Sequence, residues 1–434
     1  MNAYFNTGHN DTTAYWDRLM SVDEMDDELQ EMINQNIRLL LLLDDDDIQR
    51  REIKWNNKRL NWKEHVEREL HTGSFKSKYH MPILLFENLV DKLRDAITVD
   101  YVKSMNSTSG NVPIYPEIIA AIGLRFLGGE FPKSLEDVFG VDITSVPRVI
   151  SMFFNALFDC NELAIKLPQT ASEVEQLANG FSSVSSSEGL FDGCVGAIDG
   201  WLCQTIQPID RNIRNKRDYF SGHYQCFGLN IQAICDHKLR FIYFGVTSPG
   251  KTGDARAFNK CVHLKQWMDM HLKDTQFFFV GDNAYVLRDE LLIPFNGNNM
   301  TEAQRTYNFH LSQMRIRIEM AFGRLTTKWR IFRRKLEGST RTNARICRAA
   351  AILHNYVING TGTVNEDAED FIVPFPGAPS ESLGYLPVQS DYDDPTTLRS
   401  QEGNSYRRMA FLRIVQRDGL TRPLHNLVRN EQNY

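Results

Sequence analysis

The spacing of apolar residues changes once along this chain, near residue 190, and that change limits the folds open to it. Up to about residue 157 the apolar positions recur at helical intervals: Pro82 opens ILLFENLVDKL, and Pro116 opens EIIAAIGLRFLGG, which Gly128 and Gly129 end. After a Ser-rich stretch at 182–187 the repeat shortens to two. GCVGAIDGWLCQTI (193–206), HYQCFGLNIQAICD (223–236), LRFIYFGVTS (239–248) and QFFFVGD (276–282) are rich in β-branched and aromatic residues and read as strands. Residues 254–273 and 301–336 read as helices. Helices first, then strands, then strand and helix in alternation predict an α+β chain with a mixed-sheet domain over 190–360, preceded by a helical region over 31–180. Residues 1–30 are polar, acidic and aperiodic, which predicts a disordered lead-in. Residues 361–434 read as an acidic, Pro/Gly-rich tail with a short basic helix near 407–417.

Within the helical region, KSLEDVFG, Val141, Asp142 and ITSVPRVISMFFNAL place two short helices about a Gly-containing joint. That is a helix-turn-helix pattern over about 116–157, in which Thr144, Ser145 and Arg148 would face DNA; a plain helical bundle gives the same pattern.

Charge adds a functional constraint. The formal net charge is −6, yet residues 1–50 carry −9 and residues 361–434 carry −4, so the middle of the chain is +7. Residues 301–348 hold 12 Lys/Arg against 3 Asp/Glu. A strip this basic is the electrostatic footprint of a protein that meets phosphates, although a solvated helix face can look alike. No apolar run approaches the ~18–20 residues of a membrane span, and the most suggestive, at 39–43, stops at four aspartates. With no basic-then-apolar leader and seven cysteines lacking any CxxC pair, the chain reads as intracellular, without membrane contact and with reduced, buried thiols.

Four acids stand where chemistry could use them. Asp199 lies in the first strand between Gly196 and Gly200; Asp282 ends the fourth strand in FFFVGDNAY; Asp254 opens a helix in SPGKTGDARAF; Glu319 lies in the basic helix RIRIEMAFGRL. Carboxylates converging at a strand edge would form a hard-oxygen site for Mg²⁺ or Mn²⁺. Each also has a plain structural reading: Asp254 as an N-cap, Asp282 as a turn residue, Asp199 as partner of a buried arginine, and Glu319 as an ion pair with Arg315.

In order along the chain, GAIDG, NIQAICD, GKTGDARAF, GDNAYVLRDELLIPF, NFHLSQMRIRIEMAFGRLTTKWRIF and AAAILHNY follow one another as in the PIF/Harbinger-type transposases and transposase-derived nucleases of the DDE endonuclease superfamily. The resemblance covers roughly residues 75–360 and is densest over 193–356. It implies a ribonuclease H-like fold carrying a metal triad of Asp199, Asp282 and Glu319, the last two separated by 37 residues. It also places Asp254 on an acidic position assigned to divalent-metal binding in relatives, with Lys251 and Gly253 as variants of that segment. The loop RNIRNKRDYFSGHYQ departs from the family's Asn-Arg-Lys-Gly-like stretch.

The implied chemistry is two-metal hydrolysis and transesterification of DNA, with Mg²⁺ or Mn²⁺ ions ~3.5–4 Å apart. Asp199 would bridge the ions, Asp282 and Glu319 would each hold one, and Asp254 would be an accessory ligand or orient water. Arg315, Arg324, Lys328, Arg330, Arg333, Arg334 and Lys335 would then line the DNA path, Arg315 lying on the same helix face as Glu319. KWRIFRRK (328–335) also reads as a nuclear localisation signal, which predicts a nuclear protein. The resemblance further implies a Myb-like accessory DNA-binding partner and is compatible with a homo-oligomer. Asn308 and His310 read as substrate contacts or as packing groups, and His354 and Asn355 as structural support. Two alternatives stay open: a domesticated, inactive descendant that binds DNA or protein, and a small-substrate metal phosphohydrolase, which the basic strip disfavours.

Overall fold

The structure, a computed structural model, describes residues 58–102, 113–184, 186, 189–361 and 405–421. The expected lead-in at 1–30 and most of the acidic tail lie outside them. The described chain forms two compact units. One takes the residues up to Glu162 with Pro208–Ile213 and Trp329–Ala349; the other takes Leu163–Gln207, Arg214–Lys328 and the residues from Ala350 onward.

The first unit's described residues include the helices α1 (Trp62–His71), α2 (Phe75–Tyr79), α3 (Ile83–Ile97), α4 (Pro116–Leu127), α5 (Pro132–Phe139) and α6 (Val146–Asp159). Proline at the first or second position starts α4, α5 and α6, where its missing N–H costs nothing. Gly140 ends α5 at φ +61°, and a Cβ there would meet the Lys58 carbonyl oxygen at 2.3 Å. The two short helices predicted from the sequence are thus α5 and α6. The second is a central core helix: Val146, Val149, Ile150, Phe153, Phe154 and Leu157 are buried, which leaves a narrow outer stripe of Arg148, Met152, Asn155 and Phe158. Thr144 is exposed, but its hydroxyl and its amide both donate to the Asp142 carboxylate.

The second unit is built on one sheet. After α7 (Ala171–Ser182), started by a capping box between Thr170 and Glu173, come β1 (Cys194–Thr205), β2 (Phe220–Ser221), β3 (Cys226–Cys235) and β4 (Phe241–Pro249). Then follow α8 (Asp254–Lys260), α9 (Val262–His271), β5 (Phe278–Val280), β6 (Leu291–Leu292), α10 (Glu302–Lys328), α11 (Thr340–Thr361) and α12 (Tyr406–Arg417). The predicted helix over 254–273 is two helices broken at Cys261, and the one over 301–336 ends at Lys328. The strand order is β2-β3-β1-β5-β6, with β4 also on β3. β1 pairs antiparallel with β3 and parallel with β5, so the sheet is mixed, in the α+β class expected.

Alternation along β1 assigns its two faces. Gly196 lies opposite Phe279, which stacks on Trp267 of α9, and Gly200 abuts Asp254 of α8, so even positions face α8 and α9. Trp201 packs on Phe322 of α10 with ring centroids 5.7 Å apart, so odd positions face α10.

Two asparagines fasten the sheet's surroundings by the same device. Asn355 accepts from the Phe241 amide at 2.8 Å and donates to its carbonyl at 2.7 Å, covering the edge of β4; His354 bonds the Leu239 carbonyl oxygen at 2.8 Å. Asn308 holds the amide and carbonyl of Phe295 in the same way, at 2.8 and 2.9 Å. Three of these predicted residues, Asn308, His354 and Asn355, are therefore seen bonded to backbone groups of the fold. α12, which matches the basic helix predicted in the tail, docks through Arg407, which donates to the carbonyls of Thr275, Gln276 and Phe277. All seven cysteines are free, six of them buried, and among the described residues no helix is long and apolar enough to cross a membrane.

Candidate active site

The site begins where two parallel strands part. β5 ends at Val280, paired with Ala197, while β1 runs on to Thr205. Two residues past that pair on each strand stand Asp199 and Asp282, at the carboxyl end of β5 and on the odd face that looks toward α10. The Asp199 carboxylate accepts from the Gly200 amide at 2.8 Å, and that of Asp282 accepts from the Ala284 amide at 2.9 Å, turning the chain at the strand end. Burial pushes the Asp282 carboxyl up to about 6, reinforced by the charges of Asp254 and Glu319 and opposed by the Ala284 amide and Arg315. Burial, then the charges of Asp282 and Asp254, hold the Asp199 carboxyl well above the ordinary range. Both acids are thus strained toward the protonated form, the state that a cation would reverse.

Glu319 comes to this face from α10. Positions 315, 319 and 322 share one side of that helix, and Phe322 packs on Trp201. The Glu319 carboxylate is ion-paired with Arg315, one turn earlier, as its plain structural reading anticipated.

Asp254 is on the other face. Its Oδ1 accepts from Asn230 Nδ2 at 2.9 Å and from Gln232 Nε2 at 3.0 Å, and a Cβ on Gly200 would lie 1.9 Å from it. Tyr285 donates its hydroxyl to Gln232 Oε1 at 2.7 Å, and Asn230 also donates to the Thr252 carbonyl at 2.9 Å. Burial raises the Asp254 carboxyl, while the two amide donors and His223 pull it down. This network ties together the backbone beside Asp199, strand β3, and the loop that follows Asp282. Asn230, Gln232 and Tyr285 do not stand out in the sequence as site residues; the signal for the first two is the polar residues at alternate positions of the otherwise apolar NIQAIC.

Alternation along β1 thus turns Asp199, with Asp282 beyond β5, toward α10, which carries Glu319, and turns Gly200 toward Asp254; the Asp254 charge still acts on both Asp199 and Asp282, on Asp282 ahead of that of Glu319. The donor chemistry at Asp199 and Asp282, all oxygen and mutually repelling, fits a hard divalent cation. With Glu319 held by Arg315, no three His, Cys, Asp or Glu side chains among the described residues are grouped to hold one ion. The basic strip divides between the two units: Arg315, Arg324 and Lys328 lie on α10, whereas Arg330, Arg333, Arg334 and Lys335 belong to the helical unit. Arg330, Arg333 and Lys335 are exposed, and Arg334 stacks over the Phe131 ring at 3.9 Å. His310 is buried, with Gln313 beside Nδ1 at 3.4 Å.

The sequence profile of the DDE superfamily endonuclease family matches residues 198–355, which run from the residue before Asp199 to Asn355. "Protein ALP1-like" of Arabidopsis thaliana is 22% identical over 317 residues, covering 69% of this chain and 75% of that protein. "Putative nuclease HARBI1" of Xenopus laevis is 23% identical over 279 residues, covering 60% of this chain and 74% of that protein. No solved structure matches the chain. The mixed sheet is consistent with a ribonuclease H-like domain, and the stretch that matches the DDE superfamily endonuclease model contains Asp199, Asp254, Asp282 and Glu319.

Proposed function

We propose that this protein is a metal-dependent DNA endonuclease and strand transferase of the PIF/Harbinger type. The observation that carries the reading is the placement of Asp199 and Asp282 side by side where β1 and β5 part, with Glu319 on the helix facing them. Asp199 and Asp282 would hold the metal. A divalent cation such as Mg²⁺ or Mn²⁺ held by these carboxylates would supply activation of the attacking hydroxyl and charge compensation at the leaving oxygen of a DNA phosphodiester. Glu319 would join the site by releasing Arg315, and the freed guanidinium would pair with a phosphate oxygen of the strand. Asp254 supports the site from behind, through Gly200, Gln232 and Tyr285. A water as attacking group hydrolyses the strand; the 3′-hydroxyl so released, as attacking group, joins it to a target. Arg324, Lys328, Arg330, Arg333 and Lys335 would meet the DNA backbone, and the site of action would be the nucleus.

Among the described residues, the narrow outer stripe of α6 offers little surface for reading bases, which supports a separate Myb-like DNA-binding partner. The ion pair between Arg315 and Glu319 favours a second reading, a binding protein descended from a nuclease, in which that arginine has displaced the metal for good. One assay separates them. Purified protein with Mn²⁺ is expected to convert supercoiled plasmid to the nicked form, and to leave it intact in EDTA. Plasmid that stays supercoiled at saturating protein and Mn²⁺ would select the binding reading.

A further inference from the structure

The loop RNIRNKRDYFSGHYQ, where the sequence departs from the family it resembles, ends in a hairpin that the reading above does not use. β2 and β3 pair Phe220 with Phe227 and Ser221 with Cys226, which leaves Gly222, His223, Tyr224 and Gln225 as an exposed tip. The tip is closed on itself. Tyr224 donates its amide to Ser221 Oγ at 3.3 Å, Gln225 donates its side-chain amide to the Gly222 carbonyl, and the Gln225 backbone takes φ +51°. The His223 and Tyr224 rings meet nearly at right angles with centroids 4.6 Å apart, and Tyr224 is 57% exposed.

This hairpin is stitched to the segment that carries Asp254. The Gly250 amide donates to the Gly228 carbonyl and the Lys251 amide to the Asp218 carbonyl, both at 2.9 Å, and a Cβ on Gly250 would meet the Tyr219 carbonyl oxygen at 2.7 Å. Asn230, farther along β3, bonds both the Thr252 carbonyl and Asp254. The tip therefore lies beside the acids, and they act on it. Burial, then the charges of Asp254, Asp199 and Asp282, push the Tyr224 hydroxyl up to about 12. A ring that is open to solvent, yet desolvated and sensed by three carboxylates, lines a recess at the border of the site rather than a crest of the surface.

The chemistry of the tip selects its ligand. From Phe220 to Cys235 the chain has no lysine or arginine, so a phosphate there would meet carboxylates and no fixed cation. The face of a nucleobase is uncharged and stacks on an aromatic ring whatever its sequence. In a paired duplex those faces are covered by neighbouring bases, so only a base drawn out of the stack can use the ring. We propose that Tyr224, held by His223 and the closed tip, is the stacking platform for an unpaired nucleobase beside the scissile phosphate, so that the site works on a locally unpaired strand. The proposal rests on the DNA reading above and adds to it the state of the DNA that the site takes.

The test uses the full chain in EDTA and compares two labelled probes by anisotropy. One is a single strand of about 20 nucleotides, longer than the ~4–16 of a typical single-strand site; the other is the same strand annealed to its complement. Tyr224→Ala is expected to weaken single-strand binding by about 5- to 100-fold, the loss of one base stacked on an aromatic ring, and duplex binding by less than about 2-fold. Tyr224→Phe, which keeps the ring and drops the hydroxyl, should bind both probes as the wild type does. Circular dichroism and a thermal melt confirm that both variants fold. Wild-type single-strand affinity in Tyr224→Ala, an equal loss on both probes, or a loss in Tyr224→Phe as large as in Tyr224→Ala overturns the platform and leaves the DNA reading standing. A wild-type chain that binds neither probe overturns the DNA reading, and the platform with it.

Discussion

Asp282→Asn is expected to lower Mn²⁺-supported nicking by about 10³-fold or more, and to make the metal-free protein more stable. The two effects have one cause. Asp282 sits half-buried beside Asp199, with its carboxyl pushed up to about 6 by burial and neighbouring acids. In the unfolded chain an aspartate titrates near ~3.9. Between these values the folded state binds more protons than the unfolded one, so metal-free stability falls as pH rises from about 4 toward 6 and stays low above that. The loss is of order 2–3 kcal/mol if the pair is fully shielded from water. Asparagine is close in shape and carries no charge, so it removes the repulsion together with the ligand. Thermal melts in EDTA at pH 4.5 and 7.5 should show the wild type weakening toward neutral pH and Asp282→Asn weakening much less. Added Mn²⁺ should restore the wild type and leave the variant unmoved, because a ligand stabilises only the state that binds it. Equal pH dependence in both proteins, or undiminished nicking by the variant, contradicts this role for Asp282.

Gly200→Ala should cause the largest structural loss of any single methyl group added near the site. The new Cβ would lie 1.9 Å from Asp254 Oδ1 and 2.9 Å from Gln232 Nε2. Neither neighbour is the free end of a flexible chain, since Asp254 is fixed by Asn230 and Gln232, and Gln232 by Tyr285. Relief must come from movement of β1 at the residue beside Asp199, at an expected cost of about 3 kcal/mol. Denaturant unfolding measures it. Pairing the change with Asp254→Ala tests the cause, because shortening Asp254 removes the clash: the double variant should be distinctly more stable than the sum of the two single losses implies. Strict additivity would mean that Gly200 and Asp254 do not meet as described.

The elements were legible in the sequence wherever period and punctuation agreed. Strands β1, β3 and β5 lie inside the segments marked by two-residue alternation and β4 runs one residue past its own, and prolines 82 and 116 mark starts that the helices keep. What one-dimensional pattern does not carry is the face to which a polar group turns. Asp199 and Asp254 look equivalent as isolated acids in Gly-rich, apolar surroundings, and only the pairing of β1 with β3 and β5 shows that one side chain faces α10 and the other faces α8. The role of Asn230 and Gln232 was hidden for the same reason, since a strand amide has meaning only once its partner across the sheet is known. The basic strip shows the limit of local charge counting. Its residues are continuous in sequence, yet the fold divides them after Lys328 and uses Arg315 and Arg334 in contacts of its own, with Glu319 and Phe131.

Direct measurement of metal binding reaches the centre of this account without requiring turnover or a cognate DNA end. Free Mn²⁺ gives a six-line electron paramagnetic resonance signal that disappears on binding, so titrating the ion into the full chain counts bound metal. The wild type is expected to remove at least one equivalent from solution at neutral pH, and Asp199→Asn/Asp282→Asn to remove none. Arg315→Gln, which removes the Arg315–Glu319 ion pair, is expected to bind more tightly than the wild type. Equal Mn²⁺ uptake by the wild type and the folded double asparagine variant would contradict a metal centre at the parting of β1 and β5.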